Sequence, residues 1–221
     1  MKTLNNYIAE WRANIGTVSS IKKTNLPYFI FEQSKKDIIK IFDINWAQLT
    51  DYKDKVYIDG KNIEINDDGR TINKFEQGKY IVEIKDIYKV IDCQYMFSGC
   101  DKLISVPLFD TSNVKNMCGM FSGCTGIENI PLFDTKNVEN MSYMFWGCEK
   151  IKSVPKFNTA HVTDIRYMFW AYKSLIEVPL FNNRNYHYLQ IENMFLECDN
   201  LNDKTKRNWS KIYDFYSHKK I

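Results

Sequence analysis

No cysteine occurs before Cys93, and the opening residues Met1-Lys2-Thr3-Leu4-Asn5-Asn6-Tyr7 lack the continuous apolar stretch of a secretory signal. Synthesis in the cytoplasm without a signal peptide is therefore expected. No run of about 18 apolar residues is present, so membrane insertion is not expected. Histidine is scarce: His161, His187 and His218 are the only three. The chain also lacks a Gly-rich phosphate loop, a Gly-x-Ser-x-Gly elbow and a His-Glu-x-x-His helix. No Cys-x-x-Cys pair offers closely spaced metal ligands. These absences predict no catalytic residues, no cofactor and no metal, and the chain reads as a non-enzyme. A net charge of only +3, without a dense basic block, excludes a nucleic-acid partner. The cations near the end, including Lys204, Lys206, Arg207 and Lys211, read as the solvated face of a terminal helix.

What the chain does have is a repeat. Three units align without gaps at a 24-residue period: MFSGCDKLISVPLFDTSNVKNMCG from Met96, MFSGCTGIENIPLFDTKNVENMSY from Met120 and MFWGCEKIKSVPKFNTAHVTDIRY from Met144. A fourth from Met168 carries two extra residues, and a fragment from Met194 ends the series. Each slot has a predicted job. Val106, Ile130, Val154 and Val178 are expected in adjacent strands of a parallel sheet. Pro107, Pro131, Pro155 and Pro179 end those strands. Phe109, Phe133, Phe157 and Phe181 form a stacked spine. Asp110, Asp134, Asn158 and Asn182 turn the chain through side-chain-to-backbone bonds. Val114, Met117, Met120 and Phe121 recur at helical steps, which predicts a helical return arm.

The expected organisation has four parts. Residues 1–23 are an amphipathic helix and connector, and 24–78 a small α/β cap with a strand at Pro27–Phe31, a helix over 36–50 and a hairpin at Tyr57–Ile63. Residues 79–200 hold the repeats, opened by an alternating strand at Lys79–Ile84, and 201–221 form a helical cap. The fold class predicted is an α/β leucine-rich-repeat solenoid with an N-terminal α/β cap and terminal helices.

The units resemble the BspA-like leucine-rich repeats of bacterial surface proteins and of lipoproteins from wall-less bacteria. The likeness rests on MFSGC, the Val-Pro-x-Phe-Asp-Thr stretch and Asn-Val-x-x-Met-x-x-Met-Phe over roughly residues 79–200. It implies a right-handed solenoid used for adhesion to proteins or host surfaces, with no catalytic residues. The start, Met1-Lys2-Thr3-Leu4 with Tyr7, Ile8 and Glu10, is similar to N-terminal segments of some proteins attached to tailed-phage particles. The functional expectation is a non-enzymatic protein-interaction module, a structural or accessory component of a larger assembly such as a virion. The alternative is a bacterial cell-surface adhesin.

Two sets of residues are candidates for contact. Tyr143 and Tyr167 share one repeat column, and Trp146 and Trp170 another, where earlier units have Ser98 and Ser122. Large amphipathic rings suit interface hot spots, while packing between arms is the competing reading. Tyr172, Tyr186 and Tyr188 are expected nearby. Leu4, Tyr7, Ile8 and Trp11 form the apolar stripe of a candidate N-terminal anchor, which docks either on a partner or on the chain's own cap. The ladder of Cys100, Cys124, Cys148 and Cys198 is close enough in repeat spacing for disulfides, but burial and cytoplasmic synthesis favour reduced thiols. His161 fills a turn column otherwise held by Asn113 and Asn137.

Overall fold

The computed structural model describes residues 28–43, 45–182 and 189–217, apart from the side chains of 211 and 213–217. The expected N-terminal helix and its anchor residues Leu4, Tyr7, Ile8 and Trp11 lie outside the described residues, as do Tyr186 and Tyr188.

The regular structure is dominated by one five-stranded antiparallel sheet. Its strands are β1 (Tyr28–Gln33), β2 (Val56–Ile58), β3 (Lys61–Asn62), β4 (Gly78–Ile84) and β5 (Leu103–Ser105), in the order β3-β2-β4-β1-β5. Asp59 and Gly60 join β2 to β3 with φ of 48° and 79°, the positive pair that a two-residue hairpin of matching twist requires. The hydrophobic β1 pairs with β4 along its whole length, bringing Phe29 opposite Val82. A short helix, α1 (Leu49–Tyr52), packs Leu49 and Tyr52 into the core.

The helix expected over 36–50 is confined to those four residues. The preceding segment pairs instead with 69–75, through bridges Asp37↔Phe75 and Lys40↔Arg70. Ile41 and Phe42 both donate to the Gly69 carbonyl, and a Cβ on Gly69 would lie 2.2 Å from the Phe42 oxygen. Backbone groups satisfied across the chain are lost to a helix, which must satisfy them within its own segment.

The solenoid expectation is overturned more fundamentally. Among the described residues, the repeats add one strand, β5, which joins the sheet antiparallel to β1. Elsewhere the repeats meet through isolated parallel bridges, such as Ser105↔Asn129, Ser153↔Glu177 and Asn116↔Asn140, not through the continuous parallel sheet expected at Val106, Ile130, Val154 and Val178. Proline at the next position removes a ladder donor and limits extension there. The return arms are not helical either. Each has a positive-φ residue at both ends of a Met-Phe-x triplet: Tyr95 and Gly99, Gly119 and Gly123, Tyr143 and Gly147, Tyr167 and Ala171, Asn193 and Glu197. A left-handed residue at every fourth position interrupts a right-handed helix and leaves linked turns.

Those turns stack layer on layer. Tyr95, Phe97 and Gly99 donate their N–H groups to Cys118, Met120 and Ser122 of the next repeat at 2.9, 3.0 and 2.6 Å. Tyr143, Phe145 and Gly147 repeat the pattern to Arg166, Met168 and Trp170. Inside, Phe97, Phe121, Phe145, Phe169 and Phe195 form a ring stack with successive centroids 5.7, 5.9, 5.7 and 5.6 Å apart. Asp110, Asp134 and Asn158 each accept the N–H two residues ahead, closing the side-chain turns. Buried Thr111 and Thr135 donate to the carbonyls of Asp134 and Asn158 in the following layer.

The sheet unit and the stack share one core. Asp43 donates its N–H to Met96, Trp46 Nε1 donates to the Asp92 carbonyl at 2.7 Å, and the Cys100 thiol to the Ile41 carbonyl. A largely buried Lys40–Asp43 ion pair, 2.6 Å long, sits at this seam. At the far end α2 (Asp203–Ser217) closes the stack with Trp209, whose ring meets Phe181 and Phe195 edge-on.

Candidate functional site

The stacking of layers brings the four predicted aromatic residues together. Tyr143 and Tyr167 lie 4.8 Å apart with planes 10° from parallel. Trp146 and Trp170 lie 5.7 Å apart, and Tyr167 contacts Trp170 at 5.4 Å. Tyr and Trp approach within a layer because the turn folds back: Trp146 N–H donates to the Tyr143 carbonyl at 3.0 Å, and Trp170 N–H to that of Tyr167 at 3.1 Å. A turn, not the expected helical face, sets their proximity.

The environment of these rings is mixed. Trp146 is 41% exposed, while Tyr143, Tyr167 and Trp170 are half-buried. Asn193 Nδ2 donates to the Tyr167 hydroxyl at 3.0 Å. Trp170 Nε1 is buried without a hydrogen-bond partner. Burial and the neighbouring Tyr167 phenol hold the Tyr143 hydroxyl above its ordinary pKa, so it is a neutral donor at physiological pH. Arg166, between the two tyrosine layers in sequence, is fixed by Asp164 through Nε at 3.1 Å and Nη2 at 2.8 Å.

The backbone holds both tyrosines in an uncommon conformation. Tyr143 and Tyr167 both have φ of 56°, a conformation that costs an ordinary residue about 1–2 kcal/mol. The same slot is filled by Gly119 and Asn193, residue types that adopt it readily. The left-handed slot recurs along the repeats, and tyrosine occupies it at Tyr95 as well as in the two layers of the patch.

Two neighbours escaped the sequence reading. Tyr95, two repeats before Tyr143, occupies the same left-handed slot, and its ring covers Gly119. Leu196 continues the tryptophan column and is exposed. The 24-residue register, corrected for the two-residue insertion, identifies both. Tyr172 does not join the patch: it is fully buried, with its ring 6.2 Å from Phe169.

The remaining predicted features lie elsewhere. His161 is exposed with Asn113, Asn137, Lys115, Glu139 and Thr163 along a shallow polar groove. All six cysteines are free and buried. Cys124, Cys148 and Cys198 donate their thiols to the carbonyls of Phe97, Phe121 and Phe169, and Cys118 accepts from Ser142 Oγ at 3.3 Å. Burial pushes the Cys100, Cys124 and Cys148 thiols far above their ordinary pKa, which removes thiolate chemistry. Among the described residues, no cluster of three His, Cys, Asp or Glu side chains could hold a metal ion, and no helix is long and apolar enough to cross a membrane.

A family model described as "Mycoplasma protein of unknown function, DUF285" matches residues 91–209, more than half of the chain. The chain belongs to this family. The matched region contains the whole aromatic patch and the start of α2. No curated protein and no solved structure matches the chain.

Proposed function

We propose that the protein is a non-enzymatic protein-interaction module that serves as a component of a larger assembly and meets its partner through Tyr143, Trp146, Tyr167 and Trp170. The observation carrying this reading is the four-ring cluster with Trp146 two-fifths exposed at a column where the preceding layers have serine. Tryptophan and tyrosine dominate the energetics of protein interfaces because they bury large areas with few rotatable bonds. The bulk of the patch is already ordered by ring stacking, so little side-chain entropy remains to be lost on binding. A virion is the assembly suggested by the N-terminal resemblance. Adhesion at a bacterial cell surface is the second reading, favoured by the resemblance of the repeat units to BspA-like repeats.

Site-specific photo-crosslinking tests the proposal. A benzoylphenylalanine at position 146, introduced in the producing cell, should trap a discrete protein partner. The same group at exposed Lys136 should not. Equal crosslinking at both positions, or none at position 146, would contradict the proposed surface.

A further inference from the structure

The antiparallel sheet has a second face with an apolar centre. Along β1, Phe29 and Phe31 belong to the continuous core, while Ile30 between them faces the opposite side of the sheet. Ile30 is nevertheless only 6% exposed. The register sets it directly across from Ile81 of β4, and two residues along it sets Tyr28 and Tyr57 on either side of Glu83. Tyr28, Tyr57 and Ile81 are half-buried. We infer that this outer face is the docking site of the chain's own N-terminal segment, with Leu4, Tyr7, Ile8 and Trp11 laid across Tyr28, Ile30, Tyr57 and Ile81.

Three observations select that occupant. First, residues 1–27 lie outside the described residues and join β1 at Tyr28, which is itself part of the face. Residues 12–27, fully extended, reach about 50 Å, more than twice the width of a five-stranded sheet. A segment tethered this closely is present at an effective concentration on the order of millimolar, which gives it the advantage over a second copy or a free partner. Second, the footprints match. β2, β4 and β1 are adjacent, and three strands about 4.8 Å apart span roughly the 10 Å diameter of a helix. Leu4, Tyr7, Ile8 and Trp11, at steps of three and four, make one helical stripe about 10 Å long. Third, both surfaces need cover. A helix this short persists in water only when its apolar side is buried. Ile30 is withdrawn from solvent on the side of the sheet that the core does not occupy. Capture of residues 1–15 by another protein then requires their release from the sheet.

Hydrogen–deuterium exchange of the full chain over a dilution series, with light scattering to follow self-association, tests the docking. In the monomer, amides of residues 1–15 should exchange at least about tenfold more slowly than in the isolated peptide. Ile8→Ala together with Trp11→Ala removes the stripe while raising helix propensity, so it should abolish this protection and leave that of the repeats unchanged. Ile81→Lys, in the outer face, should do the same. Leu132→Lys, at an exposed position of the repeats, should leave residues 1–15 protected. Protection across the repeats shows that each variant is folded. Exchange of residues 1–15 at the free-peptide rate, or protection that survives the alanine pair or Ile81→Lys in a folded chain, would overturn the inference. Protection that appears only as the chain self-associates would also overturn it and would assign the face to a second copy.

Discussion

The ring of Tyr95 lies over Gly119 so closely that a Cβ at position 119 would come within 2.4 Å of its Cδ1 and Cε1 atoms. One residue without a side chain therefore lets an aromatic ring from the preceding layer settle onto the backbone.

This contact separates two glycines that share a backbone conformation. Gly119 and Gly147 have φ of 61° and 66°, so alanine at either carries the left-handed penalty of about 1–2 kcal/mol. Only at Gly119 does the methyl group also collide with a ring; at Gly147 the nearest atom is 3.9 Å away. Gly119→Ala should therefore lose at least about 1 kcal/mol more than Gly147→Ala in denaturant titrations. Equal losses would show that Tyr95 does not occupy this place in solution.

Phe145 tests the interior stack. It is fully buried between Phe121 and Phe169 and also meets Phe157 at 6.2 Å. Phe145→Ala should cost about 3–5 kcal/mol of folding stability. A loss below about 1 kcal/mol would contradict a shared aromatic core.

The thiols predict an alkaline limit to stability. Burial raises the Cys198 pKa from 9.0 to about 11, raises Cys93, Cys100, Cys124 and Cys148 further, and lifts the Tyr52 phenol to about 12. The folded state favours the neutral form, so the associated stability is fully present below pH 9, where an unfolded thiol is also neutral. It declines as pH rises from about 9 through 11, because the unfolded chain ionises first. Melting temperatures should fall over that window and stay nearly level between pH 7 and 8.5, away from the thiol transitions. Native protein should resist thiol reagents at pH 7, and denaturation without reductant should release all six cysteines. Recovery of fewer than six would indicate disulfides.

The repeat register was legible because it is written at fixed 24-residue spacing. It places Phe121 beneath Phe145, and Asp110 beside Asp134, without tertiary information. The same register aligns Tyr143 with Tyr167 and Trp146 with Trp170. The conformation within each repeat was not legible. Val106 and Val178 favour extension by residue type, yet Pro107 and Pro179 and the turns around them leave isolated bridges. Tyr143 and Tyr167 give no local sign of positive φ, since aromatic residues avoid it. Pairing of 37–42 with 69–75 depends on a distant Gly69, and the closure of the stack by α2 arises only when Trp209 meets Phe195 across its end.

The most direct test of the interaction surface is to replace Trp146 and Trp170 together by serine, the residue at the equivalent Ser98 and Ser122. Thermal unfolding and association with the partner trapped at position 146 should be measured on the same preparation. The account predicts a melting temperature close to that of the unsubstituted protein and a loss of association of at least about tenfold, which corresponds to one hot-spot residue or more. Collapse of the fold, or a folded variant that retains its partner at full affinity, would contradict it.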